Sequence, residues 1–114
     1  MKDYAGKITY RGTEYKVVFN LNVMEAIQEK YGSLEEWANL TDNAKEPNAK
    51  AVIFGFTQMI NEGIDIDNEE NGTDIKPLKL KQVGRIMTEI GLEEATKALN
   101  QTVIESTKST EKNA

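Results

Sequence analysis

The sequence predicts an α+β fold in which an N-terminal β-hairpin packs on a mainly helical domain of about five helices. Three observations lead to this prediction. Two β-branched and aromatic runs flank a glycine near the N-terminus, apolar residues then recur at helical spacing, and the last residues are polar. The chain has 114 residues, of which 39% are hydrophobic, so it can bury one modest core. We therefore expect a single domain over residues 1–106 and a disordered tail over 107–114.

The hairpin is predicted from residues 8–10 and 15–19, which are rich in β-branched and aromatic side chains. The sequence RGTE lies between them, and Gly12 tolerates the positive φ that a tight turn requires. Side chains alternate along a strand, so Tyr15, Val17 and Phe19 share one face. We expect that face to pack on the core and helices to cover it, because an isolated hairpin is only marginally stable.

The first helix is predicted over residues 23–31. Asn22 and Glu25 have the spacing of a capping box, in which each side chain bonds a backbone N–H of the first turn. Gly32 follows the last apolar position and suits the left-handed residue that ends many helices.

A second, short helix is predicted directly after Gly32. Ser33 and Glu36 repeat the capping-box spacing before a short apolar run that contains Trp37, the single tryptophan of the chain. Tryptophan is enriched at binding hot spots, so Trp37 is a candidate partner-binding residue. The alternative is that it closes a small core.

The third helix is predicted over residues 47–62. Pro47 suits a first helical position, because it has no N–H that would need a partner, and Gly63 suits the end of the helix. Residues 63–77 carry five carboxylates without sustained periodicity, which predicts a long, exposed and mobile acidic loop.

Two further helices are predicted after the acidic loop, joined at Gly91. The fourth is indicated by apolar residues at helical spacing, namely Leu80, Val83, Met87 and Ile90, and the fifth by Leu92, Ala95, Leu99 and Val103. The fifth stripe precedes the polar tail directly, an arrangement that can present a helix to a partner's groove. The predicted partner-binding residues are therefore Trp37, Leu92, Ala95, Leu99 and Val103, while packing of the last helix on its own domain remains the alternative.

Catalytic, cofactor and metal sites are not predicted. The chain lacks cysteine and histidine, which excludes thiolate nucleophiles, histidine-dependent triads and the usual zinc ligands. Adjacent carboxylates at 35–36 and 93–94 fall in predicted first helical turns, where negative charge meets the helix dipole favourably. Asp67, Glu69, Asn71 and Gly72 match the start of a calcium loop, but Leu78 stands where its bidentate glutamate belongs.

The charge of the chain argues against direct nucleic-acid binding. Fourteen basic and 19 acidic residues give a formal net charge of −5, which repels phosphate backbones. There is no stretch of about 20 apolar residues that could span a bilayer. The N-terminus MKDYAGKITY lacks the apolar core of a signal peptide, so we expect a cytoplasmic location and no membrane partner.

The run ITYRGTEYKVVFNLNVMEAIQEKYGSLEEW combines a strand of the form G-x-x-Y-x-V-x-F with a helix that begins N-V-M-E-A-I and ends at Y-G. With its helical remainder and polar tail, this order of elements resembles the small tail assembly chaperones of long-tailed bacteriophages and prophages. The resemblance covers most of the chain and rests on structural motifs. It implies a non-enzymatic protein without a cofactor. Such a protein binds the tape measure protein in the host cytoplasm, keeps it soluble and helps to recruit tail tube subunits. It would be absent from the finished virion.

The alternative from another class is a small acidic inhibitor or DNA mimic that acts on a host nucleic-acid-binding enzyme. It would use the carboxylates of the predicted acidic loop, namely Asp65, Asp67, Glu69, Glu70 and Asp74. A mimic needs carboxylates fixed on an ordered surface. The order of this segment therefore discriminates between the two hypotheses.

Overall fold

The computed structural model describes residues 4–41 and 44–91, together with positions 94 and 97. Within these residues an antiparallel hairpin precedes four helices. The elements are β1 (Tyr4–Tyr10), β2 (Thr13–Phe19), α1 (Leu21–Tyr31), α2 (Leu34–Leu40), α3 (Ala49–Asn71) and α4 (Leu80–Ile90). The predicted combination of a hairpin with a mainly helical body is confirmed. The predicted fifth helix from Leu92 and the predicted tail over 107–114 fall outside the described ranges.

The hairpin closes through the two residues Arg11 and Gly12, with φ values of 49° and 82°. Tyr10 pairs with Thr13 across this turn. Two consecutive positive φ values are typical of the tight turns whose twist matches that of paired strands. The predicted turn is therefore confirmed. The second strand starts at Thr13, directly after the turn, whereas the sequence predicted it only from Tyr15.

The predicted inner face of β2 packs on the core. Val17 is 3% exposed and Phe19 is fully buried, while Tyr15 is partly buried against the same cluster. Val18 lies on the opposite face of the strand and is also only 4% exposed. The alternation of side chains along β2 did not predict that a residue on this face would be buried.

The first helix begins earlier than predicted, at Leu21. Its N-cap is Asn20, whose Oδ1 accepts a hydrogen bond of 3.2 Å from the Val23 N–H, so the predicted cap at Asn22 is wrong. The Nδ2 atoms of both asparagines donate to Glu62 of α3, at 2.6 Å from Asn20 and 2.9 Å from Asn22. The second asparagine therefore ties α1 to α3 rather than capping α1.

The reversal between α1 and α2 is as predicted. Gly32 has a φ of 93°, and its N–H donates to the carbonyl of Gln28 at 2.8 Å. Ser33 then caps α2, because its Oγ accepts from the Glu36 N–H at 3.0 Å. Both signals are local, which explains why the sequence alone located this corner.

The central helix α3 is much longer than predicted. It starts at Ala49, after the Asn48 N-cap, and continues through Gly63 to Asn71, where Gly72 ends it with a left-handed φ of 65°. Gly63 does not end the helix. A Cβ atom at this position would lie 2.8 Å from the Lys16 carbonyl oxygen, so the glycine lets α3 approach β2 closely. The prediction of a mobile acidic loop over 63–77 is therefore wrong for its first half.

The segment between α3 and α4 is held by asparagine side chains of α3. The amide of Asn61 bonds both backbone groups of Leu78, at 3.0 Å from its Nδ2 to the carbonyl and 2.7 Å from the Leu78 N–H to its Oδ1. Asn68 does the same for Ile75, at 2.9 and 3.0 Å. These clamps hold the chain entering α4 against α3, and α4 then runs to Gly91 as predicted.

The core lies between the inner face of the hairpin and the four helices. Its large, fully buried side chains are Phe19, Val23, Ile27, Val52, Phe56, Met59, Ile60, Val83 and Ile86. Helix α3 supplies the greatest share of them, so it is the central helix of the domain.

Candidate functional site

A largely apolar groove of about 360 Å³ lies between α3, α4 and the end of α1. Its lining comprises Lys30, Lys50, Ile53, Phe54, Leu80, Lys81 and Gly84. We call it the lysine-rimmed groove. Its floor is apolar and three ammonium groups stand around it, so it suits a ligand that combines an apolar surface with negative charge.

Helical spacing explains why these residues meet. Ile53 and Phe54 follow Lys50 by three and four residues on the first turns of α3, and Gly84 follows Leu80 by four residues on α4. Each set therefore forms one strip, and the two strips lie side by side. Leu80, which belongs to the predicted apolar stripe of α4, is 53% exposed.

The floor of the groove is anchored by Phe54. Its ring meets that of Tyr31 edge-on, with 5.6 Å between centroids and an interplanar angle of 74°. Lys30 Nζ lies 5.1 Å from the Phe54 centroid, within the range of a cation–π contact. Partial burial beside this ring raises the pKa of Tyr31, since the phenolate would be poorly solvated there.

The charge of the groove lining is opposite in sign to the net charge of the whole chain. Its lining has three lysines and no carboxylate, although the protein has a net charge of −5. Neither α3 nor α4 has an acidic residue in its first turn, so the positive ends of both helix dipoles next to the groove keep their sign. The groove is therefore a positive, apolar patch on an acidic protein.

A second cavity, of about 320 Å³, lies between the start of α1, the middle of α3 and the loop before α4. Its polar lining includes Asn61, Glu62 and Asn68. The two asparagines clamp the loop, and Glu62 accepts hydrogen bonds from α1. These polar groups therefore hold the structure together and are already bonded within the chain.

The acidic residues of the second half of α3 form an ordered surface. Asp65, Asp67, Glu69 and Glu70 are all helical. Asp67 is bonded to Lys16, with 2.8 Å between its Oδ1 and the lysine Nζ. That hydrogen bond, together with the negative charge of Asp67, raises the pKa of Lys16.

A metal site is not found in the part of the chain that the structure describes. No cluster of three or more carboxylates is placed there to hold an ion. The calcium-loop spacing fails structurally as well, because Asp67 and Glu69 lie within α3 rather than in a loop. Among the same residues, none of the helices combines the length and the apolar character needed to cross a bilayer.

Trp37, a predicted partner-binding residue, lies in the core. It is 2% exposed, and its indole N–H donates to the Ala51 carbonyl at 3.0 Å. A Cβ atom on Gly55 would lie 2.5 Å from the Trp37 ring, so α3 packs directly against the indole. Trp37 therefore closes the core, which was the alternative to a partner-binding role, because α3 already covers its surface.

The other predicted partner-binding residues, Leu92, Ala95, Leu99 and Val103, lie outside the described residues. The groove residues were not predicted as a site. Lys30, Lys50 and Lys81 are far apart in sequence and share no motif. The one local signal was Gly84, a glycine inside a strongly periodic helix.

Comparison of the chain with protein-family models, with curated proteins and with solved structures gave no match.

Proposed function

We propose that this chain is a non-enzymatic binding protein that serves as a phage or prophage tail assembly chaperone. In this role it binds the tape measure protein in the bacterial cytoplasm, keeps it soluble and helps to recruit tail tube subunits. It then leaves before the virion is complete. The partners and the location come from the resemblance of residues 8–37 to such chaperones.

The observation that carries a binding function is the lysine-rimmed groove. Binding sites are usually concave, mostly apolar depressions of about 300 Å³ or more with a few charged or polar groups around them. The groove, with its volume of about 360 Å³ and its three lysines, has this form. The core below it is closed without any occupant, since Val52, Phe56 and Val83 are at most 1% exposed. The groove is thus available to a partner without unfolding of the domain.

The test is co-expression with the tape measure protein of the same phage or prophage. We expect the tape measure protein to be soluble and to copurify with the chain, and to aggregate without it. Failure of the two proteins to associate would contradict the proposal. The paired charge variants described below then show whether association depends on the groove.

A second candidate is the acidic inhibitor or DNA mimic, which the order of α3 favours. Asp65 and Glu69 are exposed and one helical turn apart, about 6 Å along the axis. They lie on a helix rather than in a loop, so helical geometry sets their spacing, as a mimic requires. Asp67 is partly neutralised by Lys16, which reduces the charge of this surface.

The mimic hypothesis predicts that the chain competes with duplex DNA for a basic host enzyme. The double variant Asp65→Asn/Glu69→Gln should lose this competition while it still solubilises the tape measure protein. Competition that survives the double variant would contradict a role for this surface.

A further inference from the structure

We propose that the lysine-rimmed groove docks an amphipathic helix of the partner whose apolar stripe is flanked by glutamate or aspartate. The identity of that partner rests on the proposed function, whereas the chemistry of the docked segment follows from the groove itself. The occupant is therefore a segment of another protein, acidic and helical.

The acidic character follows from charge complementarity. Lys30, Lys50 and Lys81 form no ion pair with any other residue in the described ranges. Each is exposed at the rim, where a carboxylate of the partner can approach without displacing a carboxylate of the chain. Complementary rim charges of this kind steer association and select between partners.

The helical character follows from the backbone of the groove walls. The lining residues all belong to α1, α3 or α4, whose backbone groups are bonded within the helices. An extended segment would find no free sheet edge there and would leave its own N–H and C=O groups without protein partners. A helix satisfies its backbone internally and inserts only side chains, which is how amphipathic helices bind apolar grooves.

Gly84 is an independent indication that the groove is kept open. Glycine is unfavourable inside a helix compared with alanine, and Gly84 has ordinary helical φ. A Cβ atom there would make only a normal contact of 3.5 Å with Ile53 Cδ1. Packing within the chain therefore does not require glycine at this position. Its effect is to leave room in the groove floor, next to the half-exposed Leu80.

The test uses the full chain and two fluorescent synthetic peptides of about 18 residues, long enough for a helix to form on binding. Both carry leucine at positions i, i+3, i+4 and i+7, one with glutamates and the other with lysines beside the stripe. Fluorescence anisotropy measures their affinities. We expect the glutamate peptide to bind at least about tenfold more tightly, with a preference that declines as salt increases.

Two double variants locate the charges that are responsible. Lys50→Glu/Lys81→Glu alters the rim, and Lys45→Glu/Lys76→Glu makes the same change in net charge at exposed positions outside the lining. We expect the rim variant to prefer the lysine peptide and the control to keep the preference of the natural chain. Equal behaviour of the two variants would overturn the proposal, as would equal binding of the two peptides.

Substitutions of Gly84 test the shape of the groove. Gly84→Leu should abolish binding of the glutamate peptide. Gly84→Ala should weaken binding several-fold while it raises the midpoint of thermal unfolding, a combination that a purely structural glycine would not give. Unchanged affinity in a folded Gly84→Ala variant would count against the proposed docking site.

Three outcomes separate the docking proposal from its alternatives. If the glutamate peptide binds only after Leu99→Glu, residues 92–114 of the same chain occupy the groove and the proposal is wrong. If the peptide binds as expected but the tape measure protein does not associate, the docking chemistry holds and the chaperone function fails. If the tape measure protein associates equally with both double variants, the chaperone function holds and the groove is not its docking site.

Discussion

The substitution Gly55→Ala is expected to destabilise the protein although it improves helix propensity. Gly55 lies in the interior of α3, and a Cβ atom there would be 2.5 Å from Cζ2 of Trp37 and 3.2 Å from Cε2. These separations are far below van der Waals contact. The indole cannot move away freely, because it is 2% exposed and its N–H is bonded to the Ala51 carbonyl.

The expected magnitude combines three effects. Alanine favours the helical backbone over glycine by about 1 kcal/mol. Overpacking of a closed core costs about 1 to 3 kcal/mol, and a clash with a fixed ring belongs at the upper end. Displacement of Trp37 also weakens a buried hydrogen bond worth about 1 kcal/mol. We therefore expect Gly55→Ala to lower the free energy of unfolding by about 2 kcal/mol, or the midpoint of thermal unfolding by about 8 °C.

The assay is urea unfolding, followed by circular dichroism and by the fluorescence of Trp37, the only tryptophan. Gly84→Ala is the matched control, since it makes the same replacement inside a helix with only a 3.5 Å contact. It should stabilise the protein by up to about 1 kcal/mol. If the two variants shift stability in the same direction, the packing of α3 on the indole does not determine the identity of residue 55.

Three further predictions concern polar contacts. Asn20→Ala removes the cap of α1 and should cost about 1 to 2 kcal/mol in urea unfolding, whereas Asn22→Ala, at the cap predicted from sequence, should cost less than about 0.5 kcal/mol. Asn61→Ala should cost about 2 kcal/mol and increase hydrogen exchange in the loop before α4, because two backbone hydrogen bonds are lost; normal protection there would contradict the clamp. Asp67 raises the pKa of Lys16 in the folded protein above its value of about 10.5 in the unfolded chain. The contribution of this ion pair to the free energy of unfolding is therefore complete below pH 10.5 and is lost as the pH rises through the folded-state pKa of Lys16. Asp67→Asn should therefore reduce stability at pH 7 and flatten its alkaline decline; an unchanged alkaline profile would show that the ion pair contributes nothing.

Helix boundaries were predictable where the signal is local. Gly32, Ser33 and Gly91 act on the backbone within one turn, so their types alone located the α1–α2 corner and the end of α4. Gly63 is also a glycine, but its role lies in tertiary packing and not in ending a helix, because it allows α3 to approach Lys16 of β2 closely. No property of the sequence around Gly63 distinguishes these roles, and the end of α3 was misplaced for this reason.

The groove was unpredictable for a different reason. Its charges come from α1, α3 and α4, and they become neighbours only through the packing of these three helices, to which the hydrogen bond of Asn61 with Leu78 contributes. The predicted apolar stripe of α4 contains the buried Val83 and Met87 but omits Ile86, which is 2% exposed. Helical spacing also does not tell which residue of the stripe lies at an open edge. Leu80 is that residue, since it is 53% exposed whereas Val83, Ile86 and Met87 are at most 3% exposed.

The central position of α3 also constrains the order of events during synthesis. The hairpin, α1, α2 and α4 all pack on this helix, and without it residues 4–41 keep only the packing of α1 on β2 and on α2. A two-stranded hairpin is not stable alone in water. At about 5 to 20 residues per second, the ribosome takes about one to five seconds to make the 23 residues of α3. Through that interval the N-terminal third of the nascent chain lacks the helix on which it packs, and a released fragment that ends before residue 49 should be degraded by a protease that spares one that ends after α4.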